Sequence, residues 1–210
     1  EKYEVVPIYI TKDREWYTGE MLRDIEVYQD LSLIKRYADN VVLYCKDGSY
    51  VLQKKNGLFK RVVKEIDIAF PIVHGTNVED GVLQGYLQTI GIPLVGPNVY
   101  GAAVGQDKVY MKALWEEAGL PMTKYVWFYD SDYKQDKDEV IKRVEKLKYP
   151  VIVKPATTGS SVGISVCEDE EKLVEAIDEA IQYDNKILVE EVVKNLKECN
   201  IADMGNYEHQ

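Results

Sequence analysis

Three β-branched residues, Val151-Ile152-Val153, run directly into Lys154-Pro155 and then into a loop of small residues, Ala156-Thr157-Thr158-Gly159-Ser160-Ser161-Val162-Gly163. The β-branched run predicts a strand. The loop that follows offers two glycines for close backbone approach, a row of N–H donors and four hydroxyls. Lys154 adds a point charge, and the combination suits phosphate. The order differs from a P-loop, where the lysine follows the glycines, and from a dinucleotide fingerprint, where glycines open a helix. A third kind of nucleotide site is implied. On these residues alone, a β-hairpin with a glycine-rich tip and a solvated Lys154 is the competing reading.

The 210 residues are enough for one large or two small domains, and a body of that size buries roughly 70% of its unfolded surface without disulfides or metals. No apolar run approaches the ~18 residues needed to span a bilayer, so no membrane role is expected. Cys45, Cys167 and Cys199 are odd in number, widely spaced and outside any C-x-x-C pair, and they read as reduced thiols of a cytoplasmic protein. Twenty-six basic against thirty-six acidic side chains give a formal charge of −10, which disfavours nonspecific nucleic-acid binding. An anionic nucleotide is not excluded, because salt screens exposed charge beyond about 8 Å and lysines at a site outweigh a distant net charge.

Val5 to Ile10 reads as a strand with no start signal before it, which implies further chain ahead of Glu1. Residues 19–50 read as scaffold, with Asp47-Gly48 as a hairpin turn. A buried strand is expected at Ile66 to Val73, ending at His74-Gly75. A polar loop (Thr76, Asn77, Glu79, Asp80) then precedes a helix whose inward stripe is Leu83, Tyr86, Leu87 and Ile90. Gly91 caps that helix, Leu94-Val95 starts a strand, and Gly96-Pro97-Asn98 turns the chain. Strand, helix, strand is α/β architecture, in which ligands sit beyond the carboxyl ends of strands, as His74 does.

A second unit is expected from about Ala102. Its first helix carries Asp107, Lys108, Met111, Leu114 and Trp115 and stops at Gly119; an extended segment runs through Tyr125 to Phe128. Charged residues 130–148 form a solvated helix with Val140, Val144 and Leu147 inward. After the lysine strand and its loop come a return strand at Ile164 to Val166 and a helix from the N-cap Asp169 to Tyr183, with Leu173, Ile177 and Ile181 buried. The strand Ile187 to Val193 is interrupted by Glu190 and Glu191, an arrangement that costs free energy unless the carboxylates have partners. Glu198 to Gly205 reads as the start of one more strand.

Taken together, Phe70-Pro71-Ile72-Val73-His74-Gly75, Glu79-Asp80-Gly81-Val82-Leu83-Gln84-Gly85, Gly91-Ile92-Pro93-Leu94-Val95-Gly96, Gln106-Asp107-Lys108, Val153-Lys154-Pro155 and Gly159-Ser160-Ser161-Val162-Gly163-Ile164 resemble the D-alanine:D-alanine ligases of the ATP-grasp superfamily. Other ATP-grasp enzymes share the lysine strand but lack the His-Gly and Glu-Asp-Gly segment ahead of it. The resemblance implies an α/β fold with an N-terminal Rossmann-like pre-ATP-grasp domain over 1–100. An incomplete ATP-grasp domain over 101–210 follows, its central subdomain reaching to about 183 and its C-terminal subdomain starting at 184.

It also implies a reaction. The γ-phosphoryl group of ATP passes to the carboxylate of one D-alanine, and the amine of a second D-alanine attacks the acyl phosphate, giving a peptidoglycan precursor. Lys108 and Lys154 would hold the ATP phosphates, and Gly159, Ser160, Ser161 and Val162 would form the lid that excludes water. Ser160 matches a serine near the first D-alanine, His74 a histidine beside it, and Glu79 an acid that positions the loop and the substrate amine. Glu190, Glu191 and the backbone of Val193 correspond to the segment edging adenine, and Glu198 to the residue that bonds the ribose hydroxyls. Without the family, Lys108 would read as an exposed helix lysine, His74 as a histidine bonded within its loop, and the two last-named acids as solvated surface groups.

Val78 stands where the family usually has glycine, Asp203 where an apolar residue is common, and Thr158 at a variable position. The family's N-terminal Gly-Gly and Glu-His segment would precede Glu1, and its Mg2+ ligands, an arginine and the loop choosing the second substrate would follow Gln210. No metal ligand is therefore assigned, and this segment alone is expected to lack turnover. D-Alanine:D-serine and D-alanine:D-lactate ligases, and a non-catalytic nucleotide-binding relative, are the alternatives. Relatives are commonly homodimers, and the expected location is the cytoplasm.

Overall fold

The computed structural model describes residues 2–57, 60–202 and 205. The chain forms two compact units, Glu1–Ala103 and Val104–Gln210.

The first unit is built on a five-stranded antiparallel sheet in the order β1-β2-β3-β4-β5, comprising β1 (Ile8–Ile10), β2 (Trp16–Thr18), β3 (Asp39–Lys46), β4 (Ser49–Lys54) and β5 (Val62–Glu65). The β3–β4 hairpin turns at Asp47 and Gly48, with φ of 50° and 85° and Lys46 opposite Ser49. Positive φ at both central residues gives a turn whose twist matches that of the strands. Two short 3-10 turns and helix α1 (Leu31–Tyr37) cover part of the sheet. Helix α2 (Val82–Ile90) lays Leu83 and Leu87 against Val41, Leu43 and Leu52. It ends where Gly91, at φ 83°, lets its N–H reach back to Gln88 while Ile92 N bonds Leu87 O at 3.2 Å.

Expectation and structure part company here in three places. The first strand starts at Ile8 rather than Val5. Residues 66–73 are extended but not a buried strand. Their one ladder contact is a parallel bridge from Ala69 to Leu94, and Phe70 and Ile72 are 68% and 80% exposed. Leu94-Val95 likewise contributes that bridge and no strand. A β-branched, apolar stretch is extended by preference, but a strand also needs hydrogen-bonded neighbours, and the described residues supply one on one edge.

Helix α3 (Val99–Gln106) leads into the second unit, and α4 (Lys108–Glu117) follows after a single residue. The one helix expected here is thus two, because Asp107 leaves the helical conformation at φ −95°, ψ 107° to act as the N-cap of α4. Gly119, at φ 73°, follows the end of α4. Strands β6 (Tyr125–Tyr129), β7 (Val151–Pro155), β8 (Ser165–Cys167) and β9 (Lys186–Glu191) form an antiparallel sheet ordered β6-β9-β7-β8. Helices α5 (Asp130–Gln135), α6 (Lys137–Glu145) and α7 (Glu170–Ala180) complete the unit. Asp169 caps α7 by accepting from Lys172 N at 2.9 Å.

Strand alternation decides which residues reach the functional face. Val151 and Val153 of β7 and Ile187 and Val189 of β9 point into a core with Val140, Val144, Leu173 and Ile177 of α6 and α7. The intervening residues face the other way. Leu188 packs with Val109 of α4 and with Ala156, and Lys154 and Glu190 lie on that same side. Both faces of β9 are therefore covered, which explains why all but its last residue are buried. The strand ends at Glu191, short of Val193. Residues 198–202 carry no strand, and Asp203 lies outside the described residues. No helix of the described residues is long and apolar enough to cross a membrane.

Candidate functional site

The start of α4 is fixed by Asp107. Its Oδ1 accepts from Val109 N at 2.9 Å and Tyr110 N at 3.2 Å, and its Oδ2 is 2.6 Å from Lys186 Nζ of β9. Lys108, the next residue, is held by its backbone N–H on Ala156 O at 3.0 Å. Its ammonium donates to the carbonyls of Pro155, Ala156 and Thr158 at 3.2, 3.3 and 2.5 Å. Lys108 thus sits at the mouth of the loop that Lys154 enters. Burial, and then the neighbouring charge of Lys154, pushes the Lys108 ammonium below the ordinary lysine range.

Lys154 forms an ion pair with Oε1 of Glu190. The other oxygen, Oε2, is 2.6 Å from Lys112 Nζ and accepts from Thr123 Oγ1 at 2.8 Å. Burial alone would raise the Glu190 carboxyl, but the bonds from Lys112, Lys154 and Thr123 outweigh it and hold the group below the usual carboxylate range. The interruption of an apolar strand by a carboxylate is thereby accounted for. Glu191 is half-buried and accepts from Lys124 N at 3.3 Å.

The loop between β7 and β8 is tied at its start. Thr157 donates to Asp184 Oδ2 from its N–H at 2.6 Å and from Oγ1 at 2.8 Å, and Gln106 Nε2 donates to Thr157 O at 2.7 Å. Beyond Thr157, Val162 N bonds Gly159 O at 3.2 Å and Thr158 Oγ1 bonds Val162 O at 3.2 Å. Gly159, Ser160, Ser161 and Val162 are exposed, and both serines take left-handed backbone, at φ 53° and 59°. Gly163, at φ 67°, packs so closely that a Cβ there would lie 2.7 Å from Tyr183 Cδ2 and 2.9 Å from Pro155 Cγ.

In the first unit, Glu79 organises its own loop. One carboxylate oxygen accepts from Gly75 N at 2.5 Å and lies 3.2 Å from His74 Nδ1. Asp80 receives Asn77 N at 2.7 Å and Val82 N at 3.2 Å, and Gln84 Nε2 donates to Val78 O at 3.1 Å. Glu79 and Gln84 also line a cavity of about 190 Å³ with Pro71, Val73, Leu94, Val95, Gly96 and Pro97.

Of the residues singled out from the sequence, Lys108, Lys154, Glu190 and the loop 159–162 meet on the second unit, and His74 and Glu79 meet on the first. Glu191 lies at the end of β9, while Val193 and Glu198 sit in exposed coil beyond it. The fold adds Lys112, Thr123, Asp184 and Lys186 to these. Lys112 had a readable signal, since it stands four residues after Lys108 on one helix face. The others are joined to the site by long-range pairing that no local pattern reveals.

The family models described as D-ala D-ala ligase N-terminus and C-terminus match residues 1–97 and 114–210. The D-alanine–D-alanine ligase of Natranaerobius thermophilus is 42% identical over 208 residues, covering 98% of this chain and 55% of the relative. That of Bacillus velezensis is 40% identical, covering 99% and 58%. Among solved structures, the VanG D-Ala:D-Ser ligase of Enterococcus faecalis superposes with a TM-score of 0.75 at 30% identity, over 92% of this chain and 54% of that one. The D-alanine–D-alanine ligase of Helicobacter pylori shares the fold, with a TM-score of 0.77 at 22% identity. The chain spans about half the length of the curated relatives it matches. With its two halves matched in order by the two family models, the chain belongs to the D-alanine–D-alanine ligase family.

Proposed function

We propose that the chain carries the phosphate-binding face and part of the amino-acid site of an ATP-dependent carboxylate–amine ligase that joins two D-alanine molecules in the cytoplasm. The division at residue 100 into an amino-acid-binding and an ATP-grasp domain, with a subdomain break near 183, belongs to the same proposal. The observation that carries it is the convergence of Lys108 and Lys154 at the mouth of the Ser160 loop. Two desolvated cations in each other's field are unfavourable alone and favourable around a polyanion. One cation about 4 Å from a phosphate is worth roughly 4 kcal/mol at an effective dielectric near 20.

Lys108 and Lys154 would neutralise the phosphates, and Gly159, Ser160, Ser161 and Val162 would close over them and exclude water from the acyl phosphate. Glu190, Glu191 and the Val193 backbone would edge the adenine, and Glu198 the ribose. His74 would stand beside the first D-alanine, with Glu79 holding the loop through Gly75 and His74. Mg2+ is the family's metal, but no group of three His, Cys, Asp or Glu among the described residues could hold it. The described residues therefore do not by themselves fit the ion.

Similarity to a D-Ala:D-Ser ligase favours a second reading in which the second substrate is D-serine. Phosphate release from ATP by this segment joined to the C-terminal part that its relatives carry, assayed with D-alanine alone and with added D-serine or D-lactate, separates the two. Release with D-alanine alone supports the dipeptide reading, and dependence on an added acceptor moves the assignment. Indifference to all three amino and hydroxy acids removes it.

A further inference from the structure

Glu190 is shared unequally between its two lysines. Lys112 lies 2.6 Å from Oε2, donates to Thr123 Oγ1 at 3.0 Å and has the Tyr125 ring centroid 5.1 Å away, with its side chain 11% exposed. Its ammonium is turned toward protein groups. Lys154, on Oε1, is 24% exposed, and Glu190 is its one ion-pair partner among the described residues. Lys154 can swing onto a phosphate by rotating its flexible stem, whereas Lys112 is enclosed.

Once Lys154 leaves, Glu190 stays behind in a buried position, and a buried carboxylate without a counter-ion is strongly unfavourable. We propose that Lys112 is a positioning residue of the nucleotide site, a fixed counter-ion for Glu190 that allows Lys154 to pass from Glu190 Oε1 to a phosphate oxygen of a nucleoside triphosphate. The inference rests on the reading of Lys108 and Lys154 as phosphate-binding groups. The charge count gives the reason. Two lysines against one carboxylate leave a surplus positive charge for the ligand, whereas Lys154 and Glu190 alone would form a closed neutral pair. Lys112 therefore matters to phosphate without touching it, and its loss is compensated by neutralising Glu190.

Calorimetric titration of the folded protein with a β,γ-imido analogue of ATP and with inorganic tripolyphosphate tests this. Lys112→Met should weaken binding of both probes tenfold or more. Lys112→Arg should stay within about threefold of the unsubstituted protein, and the double variant Lys112→Met/Glu190→Gln should bind tripolyphosphate, which has no adenine for Glu190 to edge, within about threefold of Glu190→Gln alone. The double variant buries no unpaired charge, so it and Lys112→Arg carry the test if Lys112→Met fails to fold. Unchanged affinity in Lys112→Met, or a double variant that binds tripolyphosphate tenfold or more weakly than Glu190→Gln, overturns the counter-ion role while leaving the nucleotide site in place. Absence of binding to the unsubstituted protein removes the nucleotide reading itself and the inference with it.

Discussion

Asp107 and Lys186 are 79 residues apart in the chain and 2.6 Å apart in space, an ion pair in which both side chains are under 10% exposed. The pair joins the N-cap of α4 to the first residue of β9, and so holds Lys108 against the loop after β7. Replacing Asp107 with Ala removes the cap and strands a buried ammonium, and the expected loss is about 3–5 kcal/mol of stability. Denaturant unfolding measures it. A loss below 1 kcal/mol would mean that the pair does not anchor α4.

Stability of the second unit should fall at both ends of the pH scale. Glu190 is held below its ordinary value, so its contribution is complete above about pH 4.3 and disappears as pH falls through the lower folded value. For Lys186, burial works against the charge, but the bond to Asp107 and the field of Asp107, Tyr110 and Tyr129 win and raise it. Its contribution is complete below about pH 10.4 and is lost as pH climbs through the raised folded value. Unfolding midpoints across pH should show that Glu190→Gln flattens the acid limb and leaves the alkaline one.

Gly163 is predicted to tolerate no side chain. Alanine there meets the Tyr183 ring and the Pro155 ring at under 3 Å and must also hold φ 67°. The expected cost is about 1–3 kcal/mol, seen as a drop of melting temperature on the order of 5 °C or more. Gly159→Ala is the control, since nothing lies within 4 Å of its would-be Cβ.

The three thiols should separate by reactivity. Cys167 is buried, and burial followed by the charge of Asp169 pushes its thiol up to about 11. Cys45 and Cys199 are exposed. Iodoacetamide at pH 8 should label those two in the native protein and reach Cys167 only in denaturant, because the thiolate is the reacting species. Mass spectrometry of the peptides reads the outcome, and early labelling of Cys167 would contradict its place in the core.

Motifs that act locally were legible in the sequence. Asp47-Gly48 closes a hairpin, Gly91 ends a helix and Asp169 starts one, each because a few residues settle the backbone by themselves. Val151 to Lys154 gave both the strand and the lysine at its end. What depended on distant pairing was not legible. Residues 66–73 look like a strand but lack neighbours on one edge, and of the first unit's five strands only β1 falls in a segment that reads as one, with the Asp47-Gly48 turn marking β3 and β4. Asp107 breaks a continuous helical pattern because Lys186 and two backbone N–H groups reward it elsewhere. Glu190 could be flagged as needing partners, but Lys112 and Thr123 are identified only by the folded sheet.

The central claim is that Lys108 and Lys154 form a phosphate site, and nucleotide affinity of Lys154→Met tests it most directly. Titrated with the β,γ-imido analogue of ATP, Lys154→Met should bind on the order of 10² weaker than the unsubstituted protein, a loss somewhat less than the roughly 4 kcal/mol Coulomb attraction of one cation about 4 Å from a phosphate. Equal affinities for the two proteins would return Lys154 to the role of a solvated strand-end lysine and contradict the account.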